Sequence, residues 1–265
     1  MAHRVVENWP VEAYKQSLRP EGDGGIAETH LALLQPPGGK SCRAYVKHFD
    51  AATKPRCLFN EWFSFHVLDA LGVPQPRCAI MLAPKWGSNQ LEWAFVSCEA
   101  SPVTFGTPKQ IYRPHDLPQL RKLSERLLQC VCLPVLVAVD QLIANDDRNL
   151  GNLVFTGDSA FVAIDHSNAL HGPAWTWTEH YQTQRPVRMK LVDLMRMTHG
   201  TIPPMTASAL IAAAEVVQEA YYATQDDVRR ATRCGQDLTS TTAMEMTWWR
   251  CNDLSTWIKD ELGVI

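Results

Sequence analysis

Strand-like alternation and helical periodicity are segregated along this chain. The first hundred residues carry nearly all of the former and the remainder nearly all of the latter. A proline-punctuated stretch, SPVTFGTPKQIYRPHDLP, stands between them. Strands followed by helices, rather than strands alternating with helices, point to an α+β architecture. In the first part, residues 30–34 and 42–49 are β-like runs joined by Pro-Pro-Gly-Gly, and CAIMLAP and LEWAFVSCEA flank a KWGSNQ turn. CLFNEWFSFHVLDAL has helical spacing and stops at Gly72, with Pro74 and Pro76 forbidding continuation. Helical patterns then cover roughly residues 118–132, 134–144, 206–233 and 241–262. The expectation is two lobes of one domain, β-rich over residues 1–101 and mostly helical over 102–265, with the cleft between them as the default ligand site.

The chemistry concentrates where the apolar helix PVLVAVDQLIA gives way to NDDRNLG. Pro134 is tolerated near that helix's start. Two short apolar strands around a TGDS turn follow, and Asp165 comes next. If the turn occupies residues 156–159, Phe155 faces Ala160 and Asn152 faces Ala163. Asn152 and Asp165 then sit side by side at the hairpin's open end. An amide oxygen and a carboxylate suit magnesium, a hard cation that takes its other ligands from water and phosphate. Asp147, on the loop entering the hairpin, is placed to accept a proton from an attacking hydroxyl, since phosphoryl transfer asks mainly for positioning and charge neutralisation. Arg148 is expected to steady the loop by pairing with a nearby acid. The competing explanation is that Asn145, Asp146 and Asn149 merely end a helix and Asp158 merely makes a turn.

A phosphate site also needs a cation, and Lys47 lies in the middle of an apolar strand. Alternation puts Tyr45 and Lys47 on one face and Ala44, Val46 and His48 on the other. On the following helix Leu58, Glu61, Phe65 and Leu68 share one stripe, so Glu61 faces the core. A buried carboxylate is costly without a partner, and Lys47 is the candidate; the plainer explanation is a lysine whose head reaches solvent and a glutamate at the rim. Gly22, Gly24 and Gly25 in EGDGGIAETH would let backbone amides approach a nucleotide's phosphates, and the strand end at residues 97–100 would grip its base.

Bulk properties narrow the classes. A formal net charge of -3 and a pI near 6.3 give no footprint for nucleic acid. The longest apolar run, residues 131–139, is too short for a bilayer and contains Pro134. The eight cysteines show no zinc-type pairs, and no charged-then-apolar leader opens the chain. A cytoplasmic protein with reduced thiols, outside the membrane, is expected. His166, His171 and His180 lack zinc-type spacing. The tryptophans of PAWTWTEHY and MTWWRCNDLSTWI are expected to pack rather than stack on bases. Arg185, Arg188 and Lys190 either border an acceptor site or are solvated charges.

Taken in order, Lys47, the Asn60-Glu61 pair with LGVPQP after it, DQLIANDDRNLGNLVF and AIDHS resemble the HipA-like kinases, small bacterial relatives of the protein kinase and phosphoinositide kinase folds. The resemblance runs from about Gly24 to Leu170. It implies a two-lobed protein-kinase-like fold, ATP and Mg2+ as cofactors, Asp147 as catalytic aspartate and Asn152 and Asp165 as magnesium ligands. It also implies Lys47 as the ATP-phosphate lysine and Glu61 as its helix partner. His166-Ser167 stands where many kinases have Phe-Gly. Family toxins phosphorylate protein serine or threonine and are restrained by a DNA-binding partner, so a protein substrate and an antitoxin-like partner are implied here. The regulatory serine of those toxins has no clear counterpart, the nearest hydroxyls being Ser17 and Thr29. Small-molecule or lipid kinases of the same fold share these motif residues, and a nucleotide-binding regulatory module without turnover is the non-enzymatic alternative.

Overall fold

The computed structural model of the chain describes residues 4–21, 26–100, 117–176, 185–232 and 238–264. It is α+β, with a mixed six-stranded sheet, a two-stranded hairpin and six α-helices among the described residues. The sheet runs in the order β1-β5-β6-β4-β3-β2. Its strands are β1 (Glu7–Asn8), β2 (Tyr14–Glu21), β3 (Glu28–Leu34), β4 (Cys42–His48), β5 (Cys78–Pro84) and β6 (Leu91–Cys98). Only β1 and β5 pair in parallel. Neither β1 nor β2 has a strong alternation of its own. β2 carries Pro20 at the sheet edge, where a missing N–H costs no ladder bond, and pairs with β3 through two register shifts.

Helix α1 (Cys57–Ala70) crosses one face of the sheet. Its end is set by chemistry visible in the sequence. Gly72 adopts φ +76°, while Gly72 N–H donates to Asp69 O (3.1 Å) and Val73 N–H to Leu68 O (2.9 Å). This is a Schellman stop, which needs a left-handed residue at that position. α1 joins two cores. Phe65 packs with Val6, Cys78 and Phe95 on the sheet, while Phe63, Val67 and Leu68 belong to the large helical core. The sheet's opposite face buries Ala32, Leu34, Ala44, Val46, Met81 and Val96 under Trp9 and Ala13.

The helical core gathers α2 (Leu117–Leu128), α3 (Leu133–Leu142), α4 (Lys190–His199), α5 (Pro204–Ala231) and α6 (Leu238–Leu262) around the hairpin of β7 (Leu153–Gly157) and β8 (Ala160–Ala163). Helix α4 is an element beyond those expected from sequence. The tryptophans divide: Trp175 and Trp257 are buried, but Trp248 and Trp249 remain at the surface, edge to face. No described helix is long and apolar enough to cross a membrane.

The hairpin register differs by one from the expected pairing. Leu153, not Asn152, faces Ala163, because an irregularity between Phe155 and Gly157 leaves Thr156 without an opposite number. Such a bulge adds one residue to one strand. Asn152 is instead the last residue of a 3-10 turn, Leu150–Asn152, and its carbonyl accepts from Ile164 N–H at 3.0 Å.

Candidate functional site

The lysine and the two acids meet. Lys47 projects from β4 toward α1 and donates to Glu61 Oε1 at 2.6 Å and to Asp165 Oδ1 at 3.0 Å. The three residues come from β4, α1 and the segment after β8, so the triad ties the sheet to the hairpin. Glu61 is fully buried, and its second oxygen accepts the His166 N–H at 3.0 Å. Both carboxylate oxygens are therefore used, which is what allows a charge to sit in that core. Burial acts to lower the Lys47 ammonium, but the charges of Asp165 and Glu61 outweigh it and hold it above the usual lysine range. Burial raises Glu61, and Lys47 offsets only part of that. Burial alone would also raise Asp165, but the charge and hydrogen bond of Lys47 win and keep that carboxyl well below its ordinary range.

Asp165 stands in the left-handed region at φ +61°, an angle rare outside glycine, asparagine and aspartate. The turn aims its carboxylate into the space between sheet and hairpin, and Ser167 Oγ donates to it at 3.1 Å. That space is a narrow, partly open cleft whose walls include Lys47, Glu61, Gln75, Ser97, Asp165 and His166.

The loop carrying Asp147 is built by its own amides. Helix α3 ends in a second Schellman stop, with Asn145 N–H on Asp140 O (2.8 Å) and Ala144 N–H on Gln141 O (3.2 Å). Here an alanine, at φ +51°, fills the left-handed position. Asn149 and Asn152 both donate their side-chain N–H groups to Asp147 O, at 2.9 and 3.0 Å. Asn145 and Asn149 thus do shape the turn, as the plainer explanation of these residues held. Arg148 is the loop's anchor. Buried, it pairs with Asp140 of α3 (Nε to Oδ2, 3.0 Å), donates to Ile164 O (2.6 Å) and lies 2.8 Å from His166 Nδ1. Burial and then the charge of Arg148 hold His166 well below the usual histidine range, so the ring is neutral and accepts from the guanidinium.

Asp147 itself stays about one-third exposed. Lys190 from the first turn of α4 donates to its Oδ1 at 2.6 Å, and Asn168 Nδ2 to its Oδ2 at 3.0 Å. Arg188 points away to Asp193. No periodicity joins Lys190 or Asn168 to Asp147, because the three lie on separate segments of the chain. Asn60 was legible as a polar residue beside Glu61, but its task was not. It donates to Ser167, Ala169 and Gly172 carbonyls at 2.8, 2.8 and 2.9 Å and accepts from Trp175 Nε1 at 2.8 Å. Gly24 and Gly25 lie outside the described residues.

Among the described residues no three His, Cys, Asp or Glu side chains converge on a common point. Asn152 commits its amide nitrogen to Asp147 O, which turns its oxygen the other way, and Asp165 offers a carboxylate beyond the adjoining Ile164. Asn152 and Asp165 are thus near neighbours through the Ile164 N–H to Asn152 O bond, and the donor types they carry, an amide oxygen and a carboxylate, are ones that magnesium accepts. No protein-family model matches the chain, and neither does any curated protein.

Proposed function

We propose that the chain is an ATP- and magnesium-dependent phosphotransferase with a two-lobed kinase-like arrangement, similar to the HipA-like kinases and acting on protein serine or threonine. The observation that carries this reading is the Glu61–Lys47–Asp165 triad, an ammonium held between a buried acid and an acid at the mouth of a hairpin. In this reading Lys47 engages the nucleotide's phosphates, and Glu61 keeps its ammonium in place. Asn152 and Asp165 would hold magnesium, which when bound neutralises charge on the transferring phosphoryl group. Asp147 orients the acceptor hydroxyl and takes up its proton, and Lys190 holds that carboxylate in position. An antitoxin-like protein is the regulatory partner in this reading. A cytoplasmic setting belongs to the same reading.

Transfer from γ-labelled ATP to protein tests it. Asp147→Ala is expected to lower turnover by roughly 10²–10⁴-fold while nucleotide affinity survives. Asp165→Ala removes a ligand oxygen and is expected to abolish the magnesium-dependent part of nucleotide binding. Label found only on a soluble metabolite or lipid would move the assignment to a small-molecule or lipid kinase of the same fold. ATP binding with no transfer, unchanged by Asp147→Ala, would make the chain a regulatory binding module.

A further inference from the structure

The sheet face turned away from Lys47 holds a different chemistry. Cys42 opens β4, Cys98 closes β6, and their sulfurs lie 3.7 Å apart. The two strands are neighbours in which Ala44 faces Cys98, so Cys42 is the diagonal neighbour of Cys98 on one face. Both side chains rest against the apolar cluster of that face and both remain partly exposed. Cys57, Cys78, Cys130 and Cys251 are buried, and Cys132 is partly exposed elsewhere. Arg77 stands beside the pair, held by Glu7 at 2.5 and 2.6 Å and stacked over Trp9. Its charge is felt at both sulfurs and at Cys98 works against the upward push of burial. Burial and the neighbouring Cys42 push the Cys98 thiol up to about 12, which casts Cys98 as the second sulfur to react.

We propose that Cys42 and Cys98 are a redox-active dithiol that closes reversibly to a disulfide on exposure to small disulfides such as glutathione disulfide, tying β4 to β6. The Cys42 thiolate attacks one sulfur of the oxidant and expels a thiolate, which takes up the proton Cys42 gave away. The Cys98 thiolate then attacks the Cys42 sulfur of the mixed disulfide and expels the second thiolate, which takes up the Cys98 proton. Two protein S–H bonds and the oxidant's S–S bond are lost; one protein S–S bond and two small thiols are gained. The protein gives up two electrons and two protons, and the oxidant receives them. Bringing the sulfurs from contact to a bond of about 2.05 Å requires side-chain rotation with a small approach of the strands. Lys47 faces the other side of the sheet, so the tie leaves the cleft open and stands independently of the phosphotransfer reading.

The test is peptide mapping of the folded chain after excess glutathione disulfide, without reduction. The expected product is a Cys42–Cys98 cross-linked peptide lighter by two hydrogens and opened by dithiothreitol, while Cys132 carries a single glutathione. In Cys98→Ser the expected product is a lasting glutathione adduct on Cys42. A wild-type chain in which Cys42 keeps glutathione beside a free Cys98, or in which neither thiol reacts, overturns the proposal.

Discussion

At Asp165 a single carboxylate serves two charges, the ammonium it touches and the cation it is proposed to hold, and its titration reports the first. Lys47 outweighs burial and depresses the folded-state carboxyl below the unfolded value of about 3.9. A depressed acid contributes stability that is present above the unfolded value and lost as pH falls toward the folded one. Urea midpoints of the wild type are therefore expected to drop as pH is lowered from about 5 to about 2, and Asp165→Asn to show a shallower acid limb. An unchanged limb in the variant would mean that the Lys47 contact to Asp165 is absent in solution. That Lys47 and Glu61 pair was readable from one rule, that an acid on an apolar stripe needs a cation. The same rule applied to Asp140, an acid inside PVLVAVDQLIA, would have found its partner Arg148.

Helix α1 links the sheet to the helical core, and Asn60 carries one of its ties. Its two amide hydrogens serve three carbonyls of the 167–172 segment, while its oxygen accepts from Trp175. Asn60→Asp keeps the shape but turns a carboxylate onto three carbonyl oxygens. A loss of about 3 kcal/mol or more in chemical denaturation is expected, because the change buries an unpaired charge. A loss under about 1 kcal/mol would mean that those carbonyls find other donors. The main helices and the inner strands were legible because their side chains repeat with the right period and their ends carry Gly or Pro. α4 was not, because its ten residues fall short of the stretch of about 11–18 residues over which a helical period is read. β2 was not, because an edge strand with Pro20 is made by its neighbour β3 rather than by its own pattern. The hairpin register slipped by one because a bulge at Thr156 is a property of the paired strands, which counting residues outward from a turn does not reveal.

For the molecule as a whole, the site spans the seam between the sheet and the helical core, so whatever fills it should brace both. ATP with magnesium at about 100 times its dissociation constant is expected to add about 2.7 kcal/mol to the unfolding free energy. Thermal unfolding with and without magnesium measures this, and in Asp165→Ala the magnesium-dependent increment should vanish. An increment that persists in that variant would put the nucleotide elsewhere. Position 165 carries one more implication. Glycine is the residue for which a left-handed backbone is easiest, so substitution there could relax the main chain at the very step that erases its charge. Asparagine would keep the bend and an oxygen but not the ionic bond to Lys47, and glutamate would keep the charge while fitting the bend poorly. Sequence drift at this site is thus hemmed in from two sides, and aspartate alone reconciles the curvature with the negative pole.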